Sequence, residues 1–113
     1  MEISVQQIAP DFCVAPQLEA GAMQALADAG FKSVINNRPD MEGGPDQPRS
    51  ADVEAAARAA GLEYRHLPVN GAYQSPEEIE AMRVLVESLP KPILAFCRSG
   101  ARSTKLYMQA TAV

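Results

Sequence analysis

The chain has 113 residues, 47% apolar and 21% charged, with a net charge of −4. That length and composition predict one domain over residues 1–113, built on a single core, and exclude a disordered chain. The negative charge argues against a nucleic-acid or anionic-membrane partner. No run approaches the roughly 20 apolar residues of a membrane span. Met1-Glu2-Ile3-Ser4 lacks the basic and apolar regions of a signal peptide, which predicts a cytoplasmic protein. Cys13 and Cys97 are expected as free thiols in that compartment. His66 is the single histidine and no Cys/His cluster occurs, so neither a metal nor a cofactor is expected.

Ile3 to Ile8 and Asp11 to Ala15 read as two short strands around Ala9-Pro10, with prolines that suit a sheet edge. Cys13, in the second strand, reads as a small buried hydrophobe; the functional alternative is a resolving thiol for Cys97. Gln17 to Ala29 is an alanine-rich helix with Leu18, Ala22, Leu26 and Ala29 at helical spacing, ended by Gly30. Phe31 to Asn36 is the next strand. Asn37 to Pro48 holds three prolines and two glycines and is a loop. It leaves the carboxyl end of an expected parallel strand, where open α/β sheets gather ligands. Asn37, Arg38, Asp40 and Asp46 are therefore candidates to face a crevice with Cys97, Arg38 and Asp40 foremost.

Ser50 is expected to N-cap a helix from Ala51 to Ala60, stopped at Gly61. Leu62 to Leu67 is a strand, with His66 more structural than catalytic. Pro68 to Gln74 is a second loop at a strand's carboxyl end. Ser75-Pro76-Glu77-Glu78 is a capping box with proline at N1, opening a helix to about Leu89. Ile79, Met82, Leu85, Val86 and Leu89 form its core stripe. After Pro90-Lys91-Pro92, the continuously apolar Ile93 to Phe96 suits a strand covered on both faces. The order ββαβαβαβα predicts an α/β fold of three αβα layers around a mostly parallel sheet.

The chemistry concentrates in Cys97-Arg98-Ser99-Gly100-Ala101-Arg102-Ser103, between that strand and the final helix. A thiol there sits beside backbone N–H groups and a positive helix end, which favour an anion and lower a cysteine pKa. Gly100 permits close backbone approach. Arg102 offers a fork of donors to an oxyanion. The hydroxyl of Ser103 is placed to hold a thiolate. Cys97, Arg102 and Ser103 are the catalytic candidates. Arg98, Ser99, Gly100, Ala101, Arg38, Asp40 and Asn70 are the candidate substrate contacts. Arg98, Arg102 and Lys105 form a local basic patch within an acidic chain.

Cys-x-x-Gly-x-Arg-Ser after an apolar strand resembles the signature of cysteine-dependent phosphatases and the loop of rhodanese-type sulfurtransferases. With the segments Gly30–Asp40, Ala59–Val69 and Phe96–Ser103, most of the chain looks like the phosphatase-like domain family of bacterial beta-lactamase-hydrolase-like proteins. That resemblance implies the protein-tyrosine/dual-specificity-phosphatase-like fold. It implies either phosphatase-like or sulfurtransferase activity, in some members beside a metal-dependent sulfur dioxygenase domain.

Two departures from the phosphatase pattern order the readings. Four residues, not five, separate Cys97 from Arg102, which changes where the loop amides point. Asn70 stands where dual-specificity phosphatases carry a general-acid aspartate, a role worth roughly 10² to 10⁴ in rate. Sulfur transfer needs no strong acid. The leading expectation is therefore a rhodanese-like sulfurtransferase, moving sulfane sulfur from thiosulfate or a persulfide through a Cys97 persulfide. The alternative is a phosphatase acting on a phosphoester through a Cys97 phosphocysteine. A third is a non-catalytic anion-binding or redox-sensing module.

Overall fold

The computed structural model describes residues 4–112. Strands β1 (Gln6–Ala9), β2 (Phe12–Ala15), β3 (Ser33–Asn36), β4 (Glu63–His66) and β5 (Ile93–Phe96) form one sheet in the order β1-β2-β5-β3-β4. β1 pairs antiparallel with β2, and every other pairing is parallel. The mostly parallel sheet expected from the sequence is thus present, with the one antiparallel strand at its edge.

Helices cover both faces, because the strand residues alternate between two cores. Leu94 and Phe96 of β5 point to the layer made by α1 (Met23–Asp28) and α2 (Ser50–Ala59), among Met23, Leu26, Val53, Ala57 and Tyr64. Ile93 and Ala95 point to the other layer, α3 (Pro76–Ser88) and α4 (Ala101–Thr111), among Met82, Leu106 and Ala110. All four residues of β5 are at most 1% exposed, which is why the run carries no polar residue.

Register matters most for the site. Ala15 pairs with Phe96, Phe96 with Asn36, and Asn36 with His66, so four strands end at one level. The residues that follow, Pro16, Cys97, Asn37 and Leu67, leave the sheet together at its carboxyl end. One crevice then receives the loops after β3, β4 and β5.

Three local readings are corrected. The expected helix Gln17–Ala29 begins late, as a 3₁₀ turn at Ala20–Ala22 followed by α1. Its start is held out of helix because the Gln17 amide donates to the Arg98 carbonyl at 3.2 Å and Glu19 is extended. Ser50 is the first residue of α2 rather than its cap, which is Arg49. Its hydroxyl instead bonds Tyr64 Oη at 2.9 Å, and the Asp40 carboxylate accepts from the Ser50 amide at 2.8 Å. Strands β1 to β4 are also shorter than expected, while β5 has the expected bounds; of the Ile3–Ile8 strand only Gln6 onward pairs, and Ile3 lies outside the described residues. The capping box of α3 is present in full: the Glu78 amide donates to Ser75 Oγ at 3.1 Å, and the Ser75 amide to Glu78 Oε1 at 2.8 Å.

Candidate active site

Cys97 follows directly on β5, and α4 begins four residues later. Gly100 is the N-cap of α4 with φ +95°, a left-handed conformation that glycine adopts without steric cost. This bend turns the Gly100 amide back on the cysteine, where it donates to Cys97 Sγ at 3.1 Å. The Gly100 carbonyl meanwhile starts the helix, accepting from the Thr104 amide at 3.0 Å and its hydroxyl at 2.8 Å. Burial pushes the Cys97 thiol up. The amide and hydroxyl of Ser103 and the amides of Gly100 and Ser99 outweigh it, so the thiol titrates below its usual range.

Ser103 is fully buried one turn into α4. Its hydroxyl donates to Asn37 Oδ1 at 2.8 Å. Asn37 cannot turn its amide round, because its Nδ2 already donates to the Leu67 carbonyl at 3.0 Å. Ser103 has one proton, so it serves either Asn37 or the Cys97 sulfur at a given moment. The thiolate has its amide donors at all times and the hydroxyl only when that proton swings over.

Arg102 is held end-on. Its Nη2 donates to Glu42 Oε1 at 3.1 Å, its Nη1 stands 3.1 Å from Glu42 Oε2, and Nη1 also donates to the Val69 carbonyl at 3.2 Å. Its Nε is buried with no partner. Leaving a buried donor unpaired costs free energy that a hydrogen-bond acceptor would recover. Glu42 also accepts from Arg38 Nε at 2.9 Å, while Arg38 Nη1 donates to Gln17 Oε1 at 3.1 Å. Partial burial raises the Glu42 carboxyl, but bonds and charge from Arg102 and Arg38 outweigh this and hold it below the usual carboxylate range.

The cleft at the cysteine has a volume of about 320 Å³ and is lined by Gly71, Cys97, Arg98, Ser99, Ala101, Arg102 and Lys105. The whole basic patch read from the sequence borders it. Arg38, Asp40, Asn70 and Gly100, expected as substrate contacts, do not line it; the Gly100 amide is turned to Cys97 Sγ. Arg38 is spent on Glu42 and Gln17, and Asp40 on the start of α2. Asn70 Oδ1 accepts from the Ala72 amide at 2.7 Å, closing its own turn. His66 bonds the Arg38 carbonyl through Nε2 at 2.8 Å and so braces the loop after β3. A larger hollow of about 420 Å³ lies against the far side of the loop, around Val14, Pro16, Gly100 and Thr104, and Cys97 does not line it.

Cys13 sits opposite Leu94, three residues before Cys97, about 10 Å along the strand. A disulfide needs Cα atoms within about 7 Å, so the two thiols do not meet without backbone movement. Burial also raises the Cys13 pKa. Among the described residues, no group of three His, Cys, Asp or Glu side chains is placed to hold a metal ion. No helix among them is long and apolar enough to cross a membrane.

Glu42, Gln17 and Gly71 were not legible as site residues. Only Glu42 left a trace: it stands four residues after Arg38 and just before Gly43, where a Cβ would come 2.7 Å from Arg38 Nη2.

The family model described as "Beta-lactamase hydrolase-like protein, phosphatase-like domain" matches residues 4–113. This chain belongs to that family. A beta-lactamase hydrolase-like protein of Agrobacterium fabrum is 37% identical over 89 residues, 79% of this chain and 20% of that protein. The chain thus spans about a fifth of the length of the curated relatives it matches. Among solved structures, a phosphatase candidate from Neisseria meningitidis superposes with a TM-score of 0.86 at 29% identity, covering 94% of this chain and 75% of that one. Tk-PTP in its active form superposes at 0.75 and 19% identity, covering 100% and 78%, a likeness of fold. The fold is that of the protein-tyrosine-phosphatase-like proteins, as the family resemblance implied. These likenesses support a phosphatase-like, cysteine-based domain. They favour the phosphatase alternative over the leading sulfurtransferase reading, which none of them shows.

Proposed function

We propose that this phosphatase-like domain hydrolyses small phosphomonoesters through Cys97. The observation that carries the reading is a buried thiol of lowered pKa, bonded by its own loop amide, sharing one cleft with an arginine whose Nε is unpaired. The Cys97 thiolate attacks phosphorus, an S–P bond forms, and the P–O bond to the leaving alcohol breaks with its electron pair. Loop amides and Arg102 hold the equatorial oxygens as charge builds there. Water then attacks the phosphocysteine, releasing phosphate and restoring the thiolate.

Among the described residues no carboxylic acid lines the cleft, and Glu42, next to it, is held ionised by two arginines. The leaving oxygen takes its proton from water. Esters with acidic leaving groups, aryl phosphates foremost, are the substrates this site handles best.

The same observation favours a second reading, sulfur transfer, which needs no acid. The thiolate attacks the outer sulfur of thiosulfate, an S–S bond forms, and sulfite leaves with the electron pair of the broken S–S bond. The Cys97 persulfide then passes its sulfur to a thiol or cyanide. The matched region is about a fifth of the Agrobacterium relative, which leaves room in that protein for a further domain that could supply or accept the sulfur.

Two assays on the native protein and Cys97→Ser separate the readings. Phosphate release from an aryl phosphate that disappears in the variant supports hydrolysis. Thiocyanate from thiosulfate and cyanide, without phosphate release, overturns it in favour of sulfur transfer. Inertness in both assays rejects the two enzymatic readings together and leaves an anion-binding or redox-sensing module.

A further inference from the structure

Of the seven arginines, six pair with carboxylates: Arg38, Arg49, Arg58, Arg65, Arg83 and Arg102. The seventh, Arg98, has no acidic partner among the described residues, and neither has Lys105. Both side chains are exposed, and both line the cleft that holds Cys97. Glu42, the carboxylate beside the cleft, is already bonded to Arg38 and Arg102. Lys105 lies four residues after Ala101, another lining residue, so the cleft runs ~6 Å along α4, away from the cysteine.

Helix stability does not call for these charges. α2 carries Asp52 in its first turn and Arg58 in its last, and α3 opens on Glu77 and Glu78, all favourable to the helix dipole. α4 reverses the rule. Its first turn has no acid, and Arg102 and Lys105 stand near its positive end as like charges three residues apart, which disfavours the helix. With Arg98 they gather positive charge in a chain of net charge −4. An anion bound among them relieves that repulsion.

We infer that the cleft selects esters with a second anionic group, and that Arg98 and Lys105 are the specificity-determining residues that hold it. The inference rests on the reading of the Cys97 cleft as a phosphoester site, and it adds the class of ester. The reacting phosphate sits on the Cys97 loop. The second group, a carboxylate or another phosphate, lies toward Lys105. A cleft of about 320 Å³ suits a small molecule carrying both.

The test reads binding rather than turnover, with alkyl esters that the site has no acid to cleave. Cys97 is alkylated with iodoacetamide under rising glycerol 3-phosphate, 3-phosphoglycerate or propane-1,3-diol bisphosphate, and the modification is followed by peptide mass. The first ester has one anionic group; the others add a carboxylate or a second phosphate on a three-carbon frame. In the native protein, at least one two-anion ester is expected to half-protect at about tenfold lower concentration than glycerol 3-phosphate, the scale of two exposed charge pairs. The better protector of the two identifies the second group. Arg98→Gln and Lys105→Gln are each expected to keep about a threefold advantage, and the double variant none, with glycerol 3-phosphate still protecting and the melting temperature not lowered. Lys91→Gln, before the opposite end of β5, is expected to keep the full advantage. No advantage in the native protein, one that survives the double substitution, or one that falls equally in Lys91→Gln overturns this inference and leaves the phosphoester site standing. No protection by any of the three esters overturns the phosphoester site, and this inference with it.

Discussion

The Ser103 hydroxyl donates to Asn37 Oδ1 at 2.8 Å, joining the first turn of α4 to the end of β3 beneath the cysteine. The bond makes Asn37 and the Cys97 thiolate rivals for one proton. Ser103→Ala removes the donor altogether, so the pH midpoint of Cys97 alkylation is expected to rise. Asn37→Ala removes the rival and is expected to move the midpoint down. It also leaves the part-buried Leu67 carbonyl without its partner, so stability should fall by about 1 kcal/mol. Alkylation rate against pH, with denaturant melts, checks both; a raised midpoint in Asn37→Ala would contradict the competition.

Glu42 is a fixed negative charge beside the site, kept ionised by Arg102 and Arg38. Glu42→Gln keeps the shape and removes the charge. A nearby negative charge disfavours a thiolate, so its loss should lower the Cys97 midpoint. Phosphate should protect Cys97 a few-fold more tightly, the scale of a screened charge pair of ~1 kcal/mol. Weaker protection would mean that holding the arginine outweighs the charge.

The lowered Cys97 pKa is also a statement about stability. A thiol whose folded pKa is depressed stabilises the fold fully above its unfolded pKa, about 8.5. That contribution is lost as pH falls through the folded value. The stability of the native protein relative to Cys97→Ala should therefore grow as pH rises toward about 8.5, then level off. Urea unfolding of both proteins across pH measures it, and a difference that shrinks with rising pH would mean a raised pKa instead.

Away from the site, the capping box of α3 satisfies two helix-end amides. Ser75→Ala should cost about 1 kcal/mol in urea unfolding, with Cys97 reactivity unchanged. A loss of reactivity would tie α3 to the site more closely than its packing does.

The fold was legible where periodicity and caps speak locally. Ile93–Phe96 reads as a buried strand because nothing in it is polar, and Ser75–Glu78 reads as a helix start because each partner lies three residues from the other. Ser50 misled because a serine before an alanine run looks like a cap. Its actual partner, Tyr64, lies 14 residues on, and the true helix-end acceptor, Asp40, lies 10 residues back. Within the site, the Cys97–Ser103 loop was legible since its members are contiguous. Glu42, Gln17 and Gly71 were not, because each acts across a loop on an arginine that the sequence does not place. Asp40 and Asn70 looked available for a substrate for the same reason: the backbone amides that occupy them leave no mark in the sequence.

The central claim is that Cys97 is a thiolate held ready in its loop. The most direct measurement is the rate of iodoacetamide modification at Cys97 and at Cys13 between pH 5 and pH 10, resolved by peptide mass. The Cys97 midpoint is expected clearly below the ordinary thiol value of about 8.5, with the Cys13 midpoint above it. A Cys97 midpoint at or above that of Cys13 would contradict it.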